Sequence, residues 1–381
     1  MDGWGRIADL AGHEAMHVLL TGARAPATLE LARLCARAGH TVHVADSVAW
    51  HVCRGSRLIA GHHALPAPRD GHAAYARALE RLIAAHRIDA VVPTCEEVFH
   101  LSAIRGQLSA EVKCESRATL APLHDKWRFI TACVAAGLHA PFTEEIPDTA
   151  ALTSLPAGRY ILKPRYSRFA TRVLSWSSGE PVPQFDVTDA GGWIVQEFLH
   201  GAALCTWSVV HRGAVTAHAT YAVDETAGPC GAAIRFHSVR HAAVLSWVQR
   251  FVSVHKLTGQ YAFDFIDTAR GLRAIECNPR LTSGVHLFRD RPEVADRLLQ
   301  RAPHASDVLE PPEGAYFRSR LALLTYGKRG GNGAGLLDAA DDPWPRRLQL
   351  LSWGHLLARA ALLRMDPRTV STRDIEWNGE P

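Results

Sequence analysis

Apolar positions along the chain change their period more than once, and each change marks a different kind of element. HVLLTG (17–22) is a short, β-like run. Leu31, Leu34, Cys35 and Ala38 then recur at i, i+3, i+4 and i+7, one face of a helix, before Gly39 and a second run, HTVHVAD (40–46). Strand, helix and strand make a βαβ unit. A further helix with Tyr75, Leu79, Leu82 and Ile83 on one face leads into DAVVPT (89–94), a buried strand ending in the loop TCEEV. Residues 1–118 therefore read as an open parallel α/β domain.

From about residue 120 the texture differs. HDKWRFITACVAAGLHAPF (124–142) predicts a helix stopped by Gly137 and the proline after it. RYILKP (159–164), RVLSW (172–176), WIVQEFL (193–199) and TWSVVHRG (206–213) read as strands, followed by AVTAHATYAV and YAFDFI. Between these last two, residues 246–255 form a helical pattern with Trp247, Val248, Phe251 and Val252 inward. Strands joined by glycine-rich turns predict an α+β middle. The tail, 311–381, contains RLQLLSWGHLLARAALLR (347–364), expected to be an amphipathic helix turning Leu350, Leu351, Trp353, Leu356, Leu357 and Ala360 onto the core or a second subunit. GKRGGNGAG (327–335) is the stretch expected to form a mobile loop.

Composition narrows the class. A chain of 381 residues, 47% hydrophobic and 21% charged, holds two or three ordinary globular domains. Its 42 Lys and Arg against 38 Asp and Glu leave a net +4, too small a bias for a nucleic-acid partner, though acidic small ligands remain open. The cysteines at 35, 53, 95, 114, 133, 205, 230 and 277 form no C-x-x-C pair, which argues against a zinc ribbon or a disulfide framework. No secretory pattern opens the chain and no apolar run reaches roughly 18 residues, so a cytoplasmic protein without a membrane partner is expected. The 21 histidines show no H-E-x-x-H or other ligand-like grouping and read as surface or packing residues. The βαβ unit invites dinucleotide binding, with Gly22 at the turn and Asp46 at the end of the second strand. The turn GARAPA, however, has one glycine where the G-x-G-x-x-G fingerprint needs three.

The densest chemistry lies at AIECNPRLTSGVH (274–286). With YAFDFI and LRAIECN taken as two strands of a hairpin joined by DTARG, Glu276 and Asn278 share a face and Asp264 on the partner strand lies beside them. Two carboxylates and an amide then converge, a set of oxygen donors suited to Mg²⁺ facing nucleotide phosphates. Arg280 adds a planar cation able to hold a carboxylate or an acyl phosphate at two points. Taken singly, Asp264 or Glu276 reads equally as an edge-exposed or arginine-paired acid; the combination is what points to a site. Lys163 on an apolar strand is awkward to bury without an anion, although lysine stems also snorkel. Thr282, Ser283, Gly284 and His286 form an expected turn at an acceptor pocket, or else an ordinary loop. Glu96 and Glu97 leave the first sheet at its carboxyl edge, where ligands of open sheets bind; helix capping explains them as well.

These residues and their order resemble the ATP-grasp superfamily. GQYAFDFIDTARGLRAIECNPR is similar to the family's metal-binding hairpin, in which an acid and then E-x-N hold magnesium. Upstream, Lys126 in HDKW resembles the lysine that reaches the nucleotide phosphates, and Lys163 in YILKP the lysine on a lid strand. WIVQEFLHG resembles the hinge strand, with Gln196, Glu197, Phe198 and Leu199 at the adenine and Val195 and Phe198 as apolar walls. The resemblance runs from about residue 17 to 290. It implies a Rossmann-like domain (1–118), a lid (119–192), a nucleotide- and metal-binding subdomain (193–310) and a helical extension packed on the core (311–381). It also implies ATP and Mg²⁺, or Mn²⁺, as cofactors, and a homodimer as a common assembly.

Two departures stand out. The lid loop KPRYSRFATRV has no glycine to cradle phosphate and carries Arg165, Arg168 and Arg172, which would hold phosphates or an anionic substrate, or else form a solvated basic lid. Leu204 stands about where relatives carry a ribose-binding glutamate. The implied activity is ligation of a carboxylate to an amine through an acyl phosphate, with Arg280, Lys163 and Glu276 in the catalytic roles and Glu96, Arg280, Ser283, Gly284 and His286 at the substrates. Competing readings are a bicarbonate-using carboxylase or carbamoyl-phosphate type of enzyme, a nucleotide-binding module without catalysis, and the dinucleotide enzyme suggested by residues 17–46 alone.

Overall fold

The computed structural model describes residues 14–168, 172–188, 191–227, 231, 233–301, 307–325 and 332–380. The first unit runs β1 (His17–Thr21), α1 (Pro26–Arg37), β2 (Thr41–Asp46), β3 (Gly61–Ala64), α2 (His72–His86), β4 (Ala90–Val92), α3 (Glu97–Ile104) and β5 (Glu111–Val112). Its strands lie in the order β3-β2-β1-β4-β5, all parallel. Side chains alternate along β1, so Val18 and Leu20 join the core that contains Leu31 and Leu34 of α1, while Leu19 joins Tyr75, Leu79 and Ile83 of α2. The central strands β1 and β4 are thus buried on both faces, as their near-continuous apolar runs require.

The β1–α1 turn does not look like a dinucleotide cradle. Gly22 has φ +75°, and a Cβ there would stand 2.7 Å from Thr94 Oγ1, so its bareness serves the close approach of the loop after β4. Arg24 fills the mouth of the turn. Its Nε lies 3.1 Å from Asp46 Oδ1 and its Nη1 2.6 Å from Asp374 Oδ1, so the acid that a ribose would need is spent on an arginine.

After α4 (Arg117–His124) and α5 (Lys126–Ala135) comes an antiparallel sheet of β6 (Thr143–Ile146), β7 (Arg159–Pro164), β8 (Leu174–Ser177) and β9 (Trp193–Glu197), in the order β6-β9-β7-β8. It has its own small core of Ile146, Leu152, Tyr160, Leu162, Trp176, Trp193 and Val195. The strand from Trp193, assigned above to the following unit, is therefore an interior strand of this sheet.

The third unit comprises β10 (Gly201–His211), β11 (Ala214–Thr226), β12 (Ala233–Val239), α6 (Ala242–Val254), β13 (Gly259–Thr268), β14 (Gly271–Asn278), α7 (Glu293–Leu299), β15 (Tyr316–Arg318), α8 (Arg320–Thr325) and β16 (Ala334–Gly335). Its strands follow the order β14-β13-β10-β11-β12-β15-β16. One face packs on α5 and α6 through Phe129, Trp247, Phe251, Phe263 and Phe265. The other shares a core with the first unit, where Trp207, Val209 and Phe236 join Val18, Leu20 and Leu31.

The tail departs from expectation. Of the residues expected to face inward in α9 (Trp344–Leu363), Ala360 is buried and Trp353 and Leu356 are half-buried, but Leu350, Leu351 and Leu357 are 71%, 52% and 48% exposed. Leucines at 348, 350, 351, 356, 357, 362 and 363 spread around the axis instead of forming one stripe, so no single face buries them all. What fastens this part of the chain is charge. Arg33 of α1 and Asp342, both fully buried, pair at 2.9 Å, and Asp342 also accepts from Ser56 Oγ (2.7 Å) and the Arg57 amide (3.0 Å). After α10 (Pro367–Thr372), Trp377 stacks on Phe99 with ring centroids 5.2 Å apart. Cys35, Cys53, Cys133 and Cys277 are buried free thiols, while Cys230 lies outside the described residues. So do residues 326–331, most of the expected mobile loop. Among the described residues no helix is long and apolar enough to cross a membrane.

Asp342→Ala would leave the Arg33 guanidinium buried without its counter-charge. The expected loss is roughly 3–5 kcal/mol in urea unfolding, the usual cost of breaking one half of a buried ion pair; a loss below about 1 kcal/mol would show that the pair does not hold the tail.

Candidate functional site

The site begins with the register of one hairpin. Asp264 on β13 is the cross-strand partner of Glu276 on β14, and Ala262 that of Asn278. Pairing then shifts, because Phe265 faces Ala274, which leaves Ile275 as the extra residue of a β-bulge. The side chains converge as alternation predicts, with Asn278 Nδ2 donating to Asp264 Oδ2 at 3.3 Å. Burial and the neighbouring Glu276 charge push Asp264 up to about 6, against the opposing pull of Cys205, Arg280 and Lys163. Crowded acids of this kind are short of a cation, and two carboxylates with an amide oxygen nearby are a donor set that suits Mg²⁺.

Two lysines reach this cluster from other elements. Asp125 caps α5, accepting from the amides of Trp127 (3.0 Å) and Arg128 (3.3 Å), and so places Lys126 at the first helical position. The Lys126 side chain is 2% exposed, its Nζ 3.5 Å from Glu276 Oε1 and 3.3 Å from the Ser167 carbonyl oxygen. A buried cation at a helix N-terminus opposes the helix dipole, and the two together create a strong demand for negative charge. Lys163, buried on β7, donates to Gln196 Oε1 (3.0 Å) and to the Ile275 carbonyl (3.4 Å). The bulged residue of this edge strand thus supplies the backbone acceptor. Gln196 is held in turn by its own Nε2, which donates to Thr143 Oγ1 at 3.0 Å.

Arg280 lies against the same oxygens, its Nη2 3.2 Å from Asn278 Oδ1 and 3.8 Å from Glu96 Oε1. Glu96 is nearly fully buried and pairs with Arg168 as well. Arg168 also reaches Asn378 Oδ1 (2.9 Å), the Trp377 carbonyl (2.8 Å) and Glu376 (3.4 Å). One lid arginine therefore clasps the first unit and the tail together. His124, the residue before the Asp125 cap, has the sequence pattern of a packing histidine. Its ring is buried, has no hydrogen-bond partner at either nitrogen, and is pushed well below its ordinary value by burial and by Arg168, Lys126 and Arg280. The sequence signal was its place in HDKW, next to the phosphate-type lysine.

Other expected residues are placed elsewhere. Arg165 is bound by Asp125 (Nε–Oδ1 3.1 Å) and Glu145 (2.5 Å), and Arg172 lies over the Trp193 ring at 5.5 Å; the lid arginines meet protein carboxylates and an aromatic ring, neither free phosphate donors nor a solvated fringe. The Glu197 amide donates to the Phe142 carbonyl (2.9 Å) and the Phe198 amide to that of Arg159 (2.9 Å), so those two N–H groups are spent within the sheet. Phe198 and Leu199 are half-buried, with the Arg159 guanidinium 4.0 Å from the Phe198 ring centroid, and Val195 belongs to the core of the four-stranded sheet. Leu204 is buried in the core with Phe263 and Phe265.

His286 faces away from the cluster. Its Nδ1 lies 3.0 Å from Glu30 on α1, and Arg289 Nη2 2.7 Å from the same carboxylate oxygen. Burial opposes the charge on Glu30, yet the His286 and Arg289 contacts hold that carboxyl down at about 2. Ser283 and Gly284 open a short 3₁₀ turn, and a Cβ on Gly284 would meet Trp207 Cβ at 2.6 Å. This turn is a packing joint between units, so His286 and Gly284 belong to the interior and not to an acceptor pocket. Glu97, likewise, is buried and binds the Thr94 and Cys95 amides at 3.0 and 3.1 Å, leaving Glu96 alone at the cluster.

Residues 123–284 match the family described as ATP-grasp domain. Solved structures with the same fold include carboxyaminoimidazole ribonucleotide synthase from Aspergillus clavatus complexed with ATP, 12% identical, TM-score 0.64, covering 94% of this chain and 99% of that one. L-amino acid ligase from Bacillus licheniformis is 13% identical, with a TM-score of 0.59 and 75% of each chain covered. Biotin carboxylase from Campylobacter jejuni is 11% identical, with a TM-score of 0.61 and coverage of 76% of this chain and 72% of that one. At these identities the likeness is one of fold. No curated protein matches the chain.

Because the folded-state value of Asp264 lies above that of an unfolded chain, its contribution to stability is complete below about pH 4 and lost as pH rises through about 6. Without divalent ions, Asp264→Asn is therefore expected to melt above wild type at pH 8 and level with it at pH 4. Mg²⁺ should raise the wild-type midpoint at pH 8 and leave the variant unmoved. A variant less stable than wild type at pH 8 in EDTA would contradict the crowding described here.

Proposed function

We propose that this ATP-grasp domain serves an ATP-dependent carboxylate–amine ligase working through an acyl phosphate. The observation that carries the reading is the approach of two buried lysines to the hairpin that bears Asp264, Glu276 and Asn278, Lys126 Nζ 3.5 Å from Glu276 Oε1 and Lys163 Nζ 3.4 Å from the Ile275 carbonyl oxygen, with Arg280 alongside. Asp264, Glu276 and Asn278 would hold Mg²⁺, or Mn²⁺ in its place, whose chemistry is to neutralise the terminal phosphates of ATP.

Each residue then has a definite task. Lys126, at the head of α5, and Lys163, on β7, bind phosphoryl oxygens and stabilise the charge that develops as a substrate carboxylate oxygen bonds to the γ-phosphorus and the bond to the β-phosphate oxygen breaks. ADP departs and an acyl phosphate remains. Arg280 holds the carboxylate, then the acyl phosphate, by its guanidinium fork while an amine nitrogen attacks the acyl carbon, sheds a proton and expels phosphate. The Arg168–Glu96 clasp keeps the lid loop down, which protects the acyl phosphate from water. The hinge from Gln196 to Leu199 would border the adenine, with Phe198 as an apolar wall. Arg165, His286 and Gly284 have no part in this scheme.

A second reading has bicarbonate as the acid. It draws on the biotin carboxylase domain of Hydrogenobacter thermophilus 2-oxoglutarate carboxylase, solved with MgADP and bicarbonate anion, which is 13% identical with a TM-score of 0.62 and matches 80% of this chain and 74% of that one.

The test is ADP release across pairs of small acids and amines, bicarbonate among the acids, with mass detection of the product. Glu276→Gln is expected to abolish turnover, and Arg280→Ala to lower kcat about 100-fold or more while ATP affinity changes little. Lys163→Ala should weaken ATP binding on the order of 10-fold, the loss of one charge-assisted hydrogen bond. Turnover near wild type in Glu276→Gln rejects the assignment, and tight ATP binding with no turnover in any pair favours a module without catalysis.

A further inference from the structure

Histidines scattered through the sequence are gathered by the first sheet. His17 opens β1, His43 sits in β2, His63 in β3, and His86 ends α2. In the parallel register His43 lies beside Leu19 and His63 beside Ala45. Since Leu19 and Ala45 belong to the core that contains α2, all of these histidines share the α2 face of the sheet. One donor atom each from His43, His63 and His86 lies within 4.8 Å of the others. The closest pair, His43 Nδ1 and His63 Nε2, is 3.0 Å apart, and the rings of His43 and His63 each stand 4.6 Å from that of His86.

Their meeting depends on Gly61. It is the direct cross-strand partner of His43, and a Cβ there would lie 2.5 Å from His43 Nδ1 and 2.7 Å from His63 Nε2. Any other residue would fill the space where the nitrogens point at one another. The glycine in GHHA is thus a vacancy under the imidazoles, although its backbone has no need of left-handed φ. His17 stacks beside His43 at 6.4 Å, and its Nδ1 is buried without a hydrogen-bond partner.

We propose that His43, His63 and His86 form a binding site for a Zn²⁺-class divalent ion, with His17 or water in the fourth position, which staples β2 and β3 to the end of α2. Zn²⁺ takes imidazole nitrogens at about 2.0–2.1 Å in tetrahedral array, which sets neighbouring nitrogens about 3.4 Å apart. The observed spacing brackets that value, so closing on an ion requires rotamer adjustment and no backbone movement. Three neutral nitrogen donors without a carboxylate favour zinc, copper or nickel over magnesium. His63 and His86 are half-buried, which gives an ion a route in from solvent. The site is built on β2, β3 and α2, whereas the carboxylate–lysine cluster is built on α5, β7, β13 and β14, so neither depends on the other.

The experiment uses the full chain, stripped with EDTA and dialysed against micromolar Zn²⁺, with bound metal measured by mass spectrometry of the digested protein. One equivalent is expected in wild type and in Asp264→Asn, and less than about a fifth of an equivalent in the His63→Ala/His86→Ala double variant. These are partly exposed positions, and circular dichroism of the metal-free double variant checks its fold. Co²⁺ added to wild type should give the intense visible bands of a tetrahedral nitrogen site, which decides the matter if the variant does not fold. No bound zinc in wild type, an equivalent that survives the double variant, or only the weak spectrum of hexa-aquo Co²⁺ would each overturn the proposal.

Discussion

Two carboxylates placed directly opposite one another across a hairpin repel, and the structure around Asp264 and Glu276 is organised by the need to answer that repulsion. Strand pairing alone would penalise the juxtaposition. Its tolerance depends on cations delivered from different parts of the chain: Lys126 from the head of a helix, Lys163 from the strand of another sheet, Arg280 from just beyond the hairpin. Each delivery requires its own support. Asp125 caps the helix that carries Lys126 and also grips Arg165, so one acid fixes both a helix start and the lid loop that crosses it. The acids remain under-compensated, as the raised Asp264 value indicates, and that residual charge is what suits the cluster to receive a cation with a polyphosphate.

The joints between units are held by buried ion pairs. Arg24 links Asp46 to Asp374, Arg33 is sealed against Asp342, Glu30 binds Arg289 and His286, and Arg168 ties Glu96 to the residues after Ile375. Apolar surfaces adapt to small shifts, but hydrogen-bonded ions hold one registry, since a displaced guanidinium leaves a buried acid exposed to the full desolvation cost. The tail therefore sits on the first unit at defined points even though most of α9 is not buried by it.

How much of this could be read from sequence follows the range of the interactions. The first sheet, the helix beginning at Lys126 and the Asp264–Glu276–Asn278 face were legible, because a period of two or 3.6 and a capping acid are local signals. The clasp around Arg168 was not, since its partners are 72 and 208–210 residues away and no periodicity encodes them. His286 misled for the same reason: next to Ser283 and Gly284 it looks like part of a polar loop, and only Glu30, 256 positions distant, reveals its burial. In α9 the spacing established a helix but said nothing of what would cover it. The histidines of the first sheet repeat the lesson, because their grouping arises from strand order and a bare Gly61.

The bulge at Ile275 has a further consequence for how such a chain can vary over time. Between the bulge and the turn, pairs such as Ile266 with Arg273 follow one register; beyond it, Asp264 with Glu276 follows another. The irregularity acts as a mechanical clutch. A change of loop length at the tip can alter its reach or contacts while the acids keep the pairing set beyond the bulge.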